Sequence, residues 1–365
     1  MDYNYEGRKI LEKLREHGLY KKLRKYNGNV ENNKITTGYS YPIKAFEKFL
    51  GYYDDYNKIA YNPSISFNTD FSICFSACRY ISEKNKDSVL LDNYYYKNDG
   101  RYRMPINFLR KELKIDGSFQ FFIKRYKKYE NAKGMSESSA VASAVSRSII
   151  KNVYDNNAYR DDSFVSRYAR FVSGSGTRAS INGPSMWLSY PGIKENDSFA
   201  FEIPLNAKKM NYYIFPKNID YETSNAHKTA VESIFYERWV EGKYNKINEI
   251  IDNEFPLNIL MKRSMEDMFN LNSVLLSEGS VIQTPESINL LKKFLKFKEK
   301  NDNIYITGDT GPSLMVISED DSLIKEFIDM VDDKYIKGTH NPDAHNIMHK
   351  KFETEANEYF DSLKI

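Results

Sequence analysis

The segment from Gly134 to Val145, GMSESSAVASAV, constrains the fold of this chain more than any other stretch. A glycine is followed by hydroxyl residues and then by small side chains, which predicts a helix near residues 136–151 that packs closely against a sheet. The free N–H groups and the positive dipole end at the start of such a helix can hold an anion. An ordinary capped helix explains the same residues, so this segment alone leaves both interpretations open.

The pattern of apolar residues divides the chain into unequal parts. Its 365 residues are too many for one simple core. The helical spacing of apolar residues within 1–33 predicts an added N-terminal helix. Short β-type runs follow from residue 34 to about 78. After a strand at NYYIFP, helices are predicted at 227–241, 244–252, 257–277, 284–300 and 320–331, followed by a polar tail. We therefore expect an α+β fold with domains at 34–205 and 206–365.

One of these helices has a clear start. Thr284 can cap it, and Pro285 suits the first helical position because a proline there loses no intrahelical hydrogen bond. Ile288, Leu291 and Leu295 follow at helical spacing and are predicted to form its buried stripe.

Composition excludes several classes of protein. The net charge is only +3, from 53 basic and 50 acidic residues that are interspersed, which argues against a nucleic-acid partner. No run of 18 apolar residues occurs, and the charged N-terminus has no apolar core, so we expect a cytoplasmic protein without a membrane segment. Cys74 and Cys78 are too few for a disulfide framework or a four-ligand zinc site, and we interpret them as buried thiols.

Three further stretches place polar groups where they could carry chemistry. In VSGSGTRAS, Ser173, Ser175 and Arg178 can bind oxyanions, although a flexible surface loop explains the pattern equally well. In YPIKAFEKFLGYYD, Lys48 lies among apolar residues, where a lysine most often extends to solvent. In ITGDTGPSLMVIS, Asp309 stands between glycines that permit a tight turn, as a turn-former or as a working carboxylate.

A separate cluster, HNPDAHNIMH, raises the question of a metal site. His345 and His349 lie one helical turn apart, as metal ligands can, with His340 and Asp343 nearby. Exposed helix residues are the better interpretation, and no metal is predicted.

The stretches around Lys48, Gly134, Ser173 and Asp309, taken in this order along the chain, resemble motifs of the mevalonate diphosphate decarboxylases. This family is a branch of the GHMP kinase superfamily. The family's early motifs are similar to Tyr41-Pro42, Lys48-Phe49-Leu50-Gly51 and Asn62-Pro63-Ser64-Ile65-Ser66. Its phosphate loop resembles the stretch that begins at Gly134. Its Ser-Gly-Ser-x-x-Arg and Asp-x-Gly-Pro signatures are matched at 173–178 and 309–312. The resemblance covers about residues 36–330.

The resemblance implies a two-domain GHMP kinase-like fold, with an N-terminal half like domain 2 of ribosomal protein S5 and a ferredoxin-like C-terminal half. It implies that Asp309 is the catalytic anion and that Lys48 holds that carboxylate ionised and aimed. By the same resemblance, substrate would be bound by Ser173, Ser175, Arg178, Arg103 (or Arg101 if the alignment slips), Ser64, Ser138 and Ser139. A homodimer is also expected.

One departure from the family bears on nucleotide binding. The approach to the helix, Glu130-Asn131-Ala132-Lys133-Gly134, is shorter than in ATP-using relatives and lacks their proline, and Glu137 adds a negative charge to the phosphate cradle. We therefore expect no cofactor, with ATP and Mg²⁺ needed only in the alternative case.

The expected activity is decarboxylation, without ATP, of mevalonate 3,5-bisphosphate to isopentenyl phosphate, carbon dioxide and phosphate. Alternatives from the same superfamily are ATP-dependent decarboxylation of mevalonate 5-diphosphate, a mevalonate 3-kinase, or a catalytically inactive small-molecule sensor.

Overall fold

The computed structural model describes residues 1–83, 86–96, 100–155, 157–219, 223–340 and 345–363. Its strands are β1 Ile35–Ser40, β2 Ile43–Glu47, β3 Tyr52–Asp54, β4 Ile59–Ala60, β5 Ser64–Asn68, β6 Ser72–Ile81, β7 Ser88–Leu91, β8 Tyr94–Tyr96, β9 Ser118–Lys127, β10 Ser185–Trp187, β11 Ala200–Glu202, β12 Asn211–Phe215, β13 Ile304–Thr307, β14 Leu314–Ser318 and β15 Ile336–Lys337. Its α-helices are α1 Tyr3–Glu16, α2 Gly100–Leu113, α3 Glu137–Val153, α4 Asp162–Val172, α5 Gly176–Ala179, α6 Thr223–Ala230, α7 Tyr236–Asp252, α8 Leu257–Ser277, α9 Pro285–Lys298, α10 Asp321–Asp329 and α11 His345–Ser362.

The strands form separate sheets on the two sides of residue 205. A five-stranded sheet has the order β1-β6-β9-β7-β8, in which β7 and β9 are parallel and the other neighbours are antiparallel. A second sheet has the order β11-β10-β5-β2, and a third, from the C-terminal half, has the order β13-β14-β12-β15. Strands β3 and β4 form a small hairpin. The α+β class is thus confirmed, while the domain boundary at 205 remains a prediction.

The small-residue helix α3 lies where the sequence predicts it. It packs against β1 and β6 on one side and against α4 and α5 on another, and almost all of its residues are buried. The approach to β1 is so close that a Cβ at Gly38 would lie 2.7 Å from the Ser148 nitrogen and 2.8 Å from the Ala144 oxygen. Small residues are needed here because larger ones would push the helix away from the sheet.

Several predicted helix boundaries differ from the structure. The helices predicted at 227–241 and 244–252 are instead α6, which ends at Ala230, and a single α7 that continues from Tyr236 to Asp252. Helix α7 runs through Gly242, a residue that lowers helix propensity but is tolerated once an apolar face is buried. Its buried residues include Trp239, Tyr244 and Ile247.

The buried face predicted for α9 is wrong, although its start is right. Thr284 and Ser287 form a reciprocal capping box with Pro285 at the first position. The buried apolar residues, however, are Leu290, Phe294 and Phe297, whereas Ile288 and Leu295 are 40% and 41% exposed. Both sets have helical spacing, and docking against α10 and β13 selects the first: Phe294 and Phe297 pack against Phe327 of α10.

Both ends of the chain are built into the fold. Helix α1 packs against α7, and its Ile10, Leu11 and Leu14 join a core that also contains residues from both sides of residue 205. The predicted polar tail is an amphipathic helix, α11, whose Phe352, Ala356 and Phe360 are buried against β6 and β9.

Cys74 and Cys78 are buried free thiols on β6, as predicted. Within the described ranges, no helix has the length and apolar character required to cross a membrane.

Candidate active site

A cavity of about 360 Å³ lies beside the start of α3 and brings several of the predicted residues together. Its polar and charged lining residues are Lys48, Arg125, Lys127, Glu130, Asn131, Lys133, Ser136, Glu137, Ser138, Ser175, Arg178, Asn218, His227, Asp309 and Thr310. Four segments that are distant in sequence thus meet at one place: the loops before α3 and α5, the turn between β13 and β14, and helix α6.

The turn that carries Asp309 is tight, and it touches the loop before α3. The Gly311 N–H donates a hydrogen bond to the Asp309 carbonyl oxygen at 2.9 Å. A Cβ at Gly311 would lie 2.5 Å from the nitrogen of Gly134, which itself has a φ of 80°. The glycine at 311 is therefore required for close backbone contact between the two loops as well as for the turn.

The two carboxylate oxygens of Asp309 have different environments. Oδ2 forms an ion pair with the Lys44 ammonium at 3.3 Å, and the same ammonium donates to the Gly134 carbonyl at 3.1 Å. Oδ1 is buried and has no hydrogen-bond partner among the described residues. An unpartnered buried carboxylate oxygen is costly, and on a cavity-lining residue it indicates a group held ready for a ligand.

The predicted contact between Lys48 and Asp309 is not what the structure shows. The buried Lys48 ammonium donates to the Ala45 and Ser264 carbonyls and to Thr307 Oγ1, at 3.0, 3.1 and 3.0 Å. These three bonds use all three of its donors. Lys44 takes the position against Asp309, and Lys48 instead braces β2 against α8 and β13. Burial lowers the pKa of Lys48 to about 8.

Lys48 is itself held by a buried ionic network. Its backbone N–H donates to Asp267 at 2.7 Å, and Asp267 also accepts from Lys243 and from Trp239 Nε1. Lys243 contacts Glu47 as well, at 3.2 Å. The network therefore fixes the end of β2 to α7 and α8.

The predicted oxyanion-binding loop, Ser173 to Arg178, contributes two residues to the cavity. Ser175 and Arg178 line it, and the hydroxyls of Ser173 and Ser175 lie 3.0 Å apart. The buried Arg178 guanidinium makes one long bond, 3.4 Å, to the Ile65 carbonyl, and its Nε has no hydrogen-bond partner among the described residues. Burial lowers the pKa of Arg178 to about 10. A buried cation with free donors favours an anionic ligand.

Of the remaining predicted serines, only Ser138 lines the cavity. Ser139 is buried and its hydroxyl donates back to the Ser136 carbonyl at 2.6 Å, which makes it part of the helix start. Ser64 is buried on β5, and its hydroxyl has no hydrogen-bond partner among the described residues. A substrate-binding role for Ser139 or Ser64 thus has no support from the cavity geometry.

Arg103 is exposed on α2 and is not one of the cavity-lining residues. The side chain of its alternative, Arg101, lies outside the part of the chain that the structure describes. Arg125, Lys127 and Lys133 are basic residues that do line the cavity.

Glu137 lines the cavity as predicted, but it is not an unpaired charge. Its carboxylate accepts from Arg125 at 2.6 Å, from Lys127 at 2.9 Å and from the Tyr129 hydroxyl at 2.6 Å. Arg125 also pairs with Asp92 at 2.6 Å. The two cations are thus balanced by two carboxylates, so this wall of the cavity carries no net charge.

The sequence did not predict five residues that lie at or next to the cavity: Lys44, Arg125, Lys127, Lys133 and His227. The YPIK stretch contains Lys44, but a β-bulge between Ala45 and Glu47 interrupts the alternation of β2, so spacing does not decide which lysine faces Asp309. Arg125 and Lys127 alternate along β9, a signal that could have placed both on one face.

The residues of the HNPDAHNIMH stretch do not come together in the structure. His340 Nε2 contacts the Met210 carbonyl at 2.7 Å, while His349 stacks on Phe75 and lies 3.3 Å from Thr37 Oγ1. Asp343 and the His345 side chain lie outside the described residues. Among the residues the structure does describe, no group of three or more His, Cys, Asp or Glu is placed to hold a metal ion. His349 is packed rather than freely exposed.

Comparison with known proteins gives concordant results. Residues 40–200 match the family described as the diphosphomevalonate decarboxylase-like N-terminal domain. The chain is 50% identical to the mevalonate 3,5-bisphosphate decarboxylase of Thermoplasma acidophilum, over 97% of this chain and 88% of that protein. It is 48% identical to the enzyme of the same name from Thermoplasma volcanium, over 98% and 96% of the two chains.

Solved structures show the same fold at lower identity. The mevalonate diphosphate decarboxylase of Enterococcus faecalis superposes with a TM-score of 0.70 at 18% identity, over 84% of this chain and 97% of that one. The Staphylococcus aureus enzyme superposes with a TM-score of 0.68 at 18% identity, over 84% and 96%. The GHMP kinase-like fold predicted from the motifs is thereby confirmed.

Proposed function

This chain belongs to the mevalonate 3,5-bisphosphate decarboxylase family, and we propose that it converts mevalonate 3,5-bisphosphate into isopentenyl phosphate, carbon dioxide and phosphate. It is thus a carboxy-lyase that supplies a precursor for isoprenoid synthesis. The observation that carries its assignment to this site is the Asp309 carboxylate, which lines the same cavity as Arg178, is paired with Lys44 through Oδ2 and has a buried Oδ1 without a hydrogen-bond partner among the described residues.

The proposed decarboxylation requires a fixed negative charge near C3 of the substrate. The bond between C3 and the 3-phosphate oxygen breaks, and the phosphate leaves with the bonding pair. Positive charge develops on the tertiary C3, which the Asp309 carboxylate would stabilise because it is already oriented before the reaction. The C1–C2 bond then breaks, its electrons form the C2–C3 double bond, and C1 leaves as carbon dioxide. No water, oxidant or proton donor is consumed.

The remaining groups would orient the two charged ends of the substrate. Arg178 has an Nε that is unpartnered among the described residues, and Ser175 lines the same cavity with the Ser173 hydroxyl 3.0 Å from its own, which suits the departing carboxylate or a phosphate. Lys133 and Ser138, at the start of α3, suit a second phosphate. Lys48 would act indirectly, because it holds the strand before Asp309 through Thr307.

We also propose that the reaction needs no ATP. The cations that reach the cavity from β9 are held by Glu137 and Asp92, so they are not free to neutralise a polyphosphate. Binding a nucleotide there would require breaking these ion pairs or bringing phosphates against Glu137, and both are unfavourable. The residues present therefore do not fit a nucleoside triphosphate beside Arg125, Lys127 and Glu137.

A single assay tests both proposals. Purified protein is mixed with mevalonate 3,5-bisphosphate in the presence of a chelator and without nucleotide, and phosphate release is measured together with isopentenyl phosphate. We expect turnover by the wild-type chain and a loss of roughly a hundredfold or more in kcat for Asp309→Asn, which keeps the shape but removes the charge.

Turnover only of mevalonate 5-diphosphate with Mg-ATP would replace this proposal by the ATP-dependent decarboxylase. Phosphorylation of mevalonate at the 3-hydroxyl without decarboxylation would indicate a 3-kinase. Full activity of the Asp309→Asn variant would refute the mechanism in which Asp309 stabilises positive charge on C3.

A cytoplasmic homodimer is the expected state, from the resemblance to superfamily enzymes that are commonly dimeric. Light scattering coupled to size-exclusion chromatography measures the mass directly, and a value near the 42.7 kDa of one chain would contradict the dimer.

A further inference from the structure

A histidine outside every sequence motif lines the cavity of Asp309. His227 lies on α6 and lines the cavity together with Ser175 and Arg178. The proposed chemistry assigns it no role. Its ring nevertheless has a specific hydrogen-bond donor and a specific stacking partner, which is unusual for a residue that only fills space.

One ring nitrogen has a defined partner. The backbone N–H of Gly51 donates to Nδ1 of His227 at 3.0 Å. A nitrogen that accepts a hydrogen bond carries no proton, so in the neutral ring the proton is on Nε2, which is then a donor. Among the described residues Nε2 has no hydrogen-bond partner. Burial, and next the nearby Lys58, lower the pKa of His227 to about 4, so this neutral tautomer is the form present near pH 7.

The ring is fixed by an aromatic platform shared with the substrate loop. His227 stacks on Tyr52, with centroids 4.8 Å apart and ring planes 18° apart, and lies 5.4 Å from the Phe49 ring. The Tyr52 hydroxyl accepts from the Gly174 N–H at 3.2 Å, and the Arg178 guanidinium lies 5.5 Å from the Phe49 centroid. His227 and Arg178 therefore both lie against the Phe49 ring, and Tyr52 joins His227 to the loop before Arg178.

We propose that His227 is a substrate-binding residue whose Nε2–H donates a hydrogen bond to an anionic oxygen of the substrate, beside the guanidinium of Arg178. The inference rests on the proposed function. A neutral donor next to a buried cation binds an oxyanion without adding a second charge that would have to be desolvated. The receiving oxygen belongs to a carboxylate or to a phosphate, since both offer the same acceptor chemistry.

Three substitutions separate this role from a structural one. His227→Phe keeps a ring that can stack on Tyr52 but removes both nitrogens. His227→Gln can place an amide N–H near the position of Nε2, and His227→Asn can place an oxygen near that of Nδ1 for the Gly51 N–H. We expect KM to rise roughly tenfold or more in the Phe and Asn variants, and to stay within about threefold of wild type in the Gln variant. Melting temperatures, measured in parallel, should not follow this order.

Two ligands identify the receiving group. Titration calorimetry with mevalonate 5-phosphate, which has a carboxylate, is compared with isopentenyl phosphate, which has none. If Nε2–H contacts the carboxylate, His227→Phe weakens binding of the first ligand alone. If it contacts the 5-phosphate, both ligands lose affinity. If it contacts the 3-phosphate, which both ligands lack, neither binding changes and only KM for mevalonate 3,5-bisphosphate rises.

The proposal is overturned if His227→Phe binds both ligands as tightly as the wild type and also keeps the wild-type KM for mevalonate 3,5-bisphosphate. It is also overturned if Asn restores KM while Gln does not, because the ring would then serve only as an acceptor for Gly51. A wild-type chain that fails to turn over mevalonate 3,5-bisphosphate would instead refute the proposed function, and the calorimetric comparison distinguishes the two failures.

Discussion

Lys44 and Lys48, four residues apart, make different contacts near Asp309. Lys44 neutralises the carboxylate from one side and ties it to the Gly134 loop. Lys48 uses its three donors on Ala45, Ser264 and Thr307, so it joins β2, α8 and β13. The ion pair with the Asp309 carboxylate and the contacts that hold its turn are thus supplied by separate residues.

The lowered pKa of Lys48 predicts a pH dependence at the residue scale. Because burial lowers this pKa to about 8, the ammonium loses its proton as the pH rises through that value. The neutral amine has one donor fewer, which loosens the strand before Asp309. We expect kcat to fall above about pH 8, and we expect this alkaline limb to move beyond pH ~9.5 in Lys48→Arg, whose guanidinium stays charged.

The measurement is kcat between pH ~6 and ~9.5 for both proteins, after circular dichroism has established that the variant is folded. A wild-type rate that stays level across the range would contradict the prediction. So would an alkaline limb at the same pH in an active Lys48→Arg variant. If that variant is folded but inactive, Lys48 is required for activity, and the wild-type limb alone tests the pKa.

Helix α9 shows how docking selects one face of a helix. Its apolar residues cover more than one stripe, so periodicity permits both the Ile288, Leu291, Leu295 set and the Leu290, Phe294, Phe297 set. Burial of the second set places Phe294 and Phe297 against Phe327 of α10, with ring centroids 5.4 and 5.5 Å apart. The helix start is determined locally by Thr284, whereas the buried face depends on the neighbouring elements.

This difference predicts unequal costs for two similar substitutions at the element scale. Leu290→Ala removes a side chain that is 3% exposed and should lower the free energy of unfolding by about 2–5 kcal/mol. Ile288→Ala, at 40% exposure, should cost distinctly less. Urea unfolding followed by circular dichroism compares the two. Equal losses, or a larger loss for Ile288→Ala, would mean that the other face is buried.

At the scale of the whole molecule, α1 links parts of the chain that are far apart in sequence. The Met1 amino group pairs with Glu241 at 3.1 Å, and Lys13 pairs with Asp252 at 2.8 Å, both on α7. A Cβ at Gly7 would lie 2.1 Å from Cγ of Tyr190, so the helix also meets the N-terminal half closely. The added helix therefore acts as a clamp across the two halves.

The clamp predicts that α1 contributes to global stability. Leu14→Ala removes a fully buried side chain from the shared core and should cost about 2–5 kcal/mol of unfolding free energy. Leu276→Ala is the matched control, since Leu276 is 60% exposed and its loss should change stability by no more than about 0.5 kcal/mol.

Denaturant unfolding gives both values, and Trp fluorescence should report the same midpoint as circular dichroism. A Leu14→Ala protein as stable as Leu276→Ala would show that α1 is a dispensable attachment.

The sequence by itself determined the local features: the small-residue helix α3, the capped start of α9, the tight turn at Asp309 and the order of motifs that indicates the family. These depend on residues that are neighbours along the chain, whose conformational preferences and caps can be interpreted locally. The tertiary structure decided which lysine meets Asp309, that Glu137 holds Arg125 and Lys127, and that His227 meets Gly51, 176 residues away in sequence. Such partners come from separate elements, and their pairing depends on bulges, docking angles and shared burial, which no local pattern specifies.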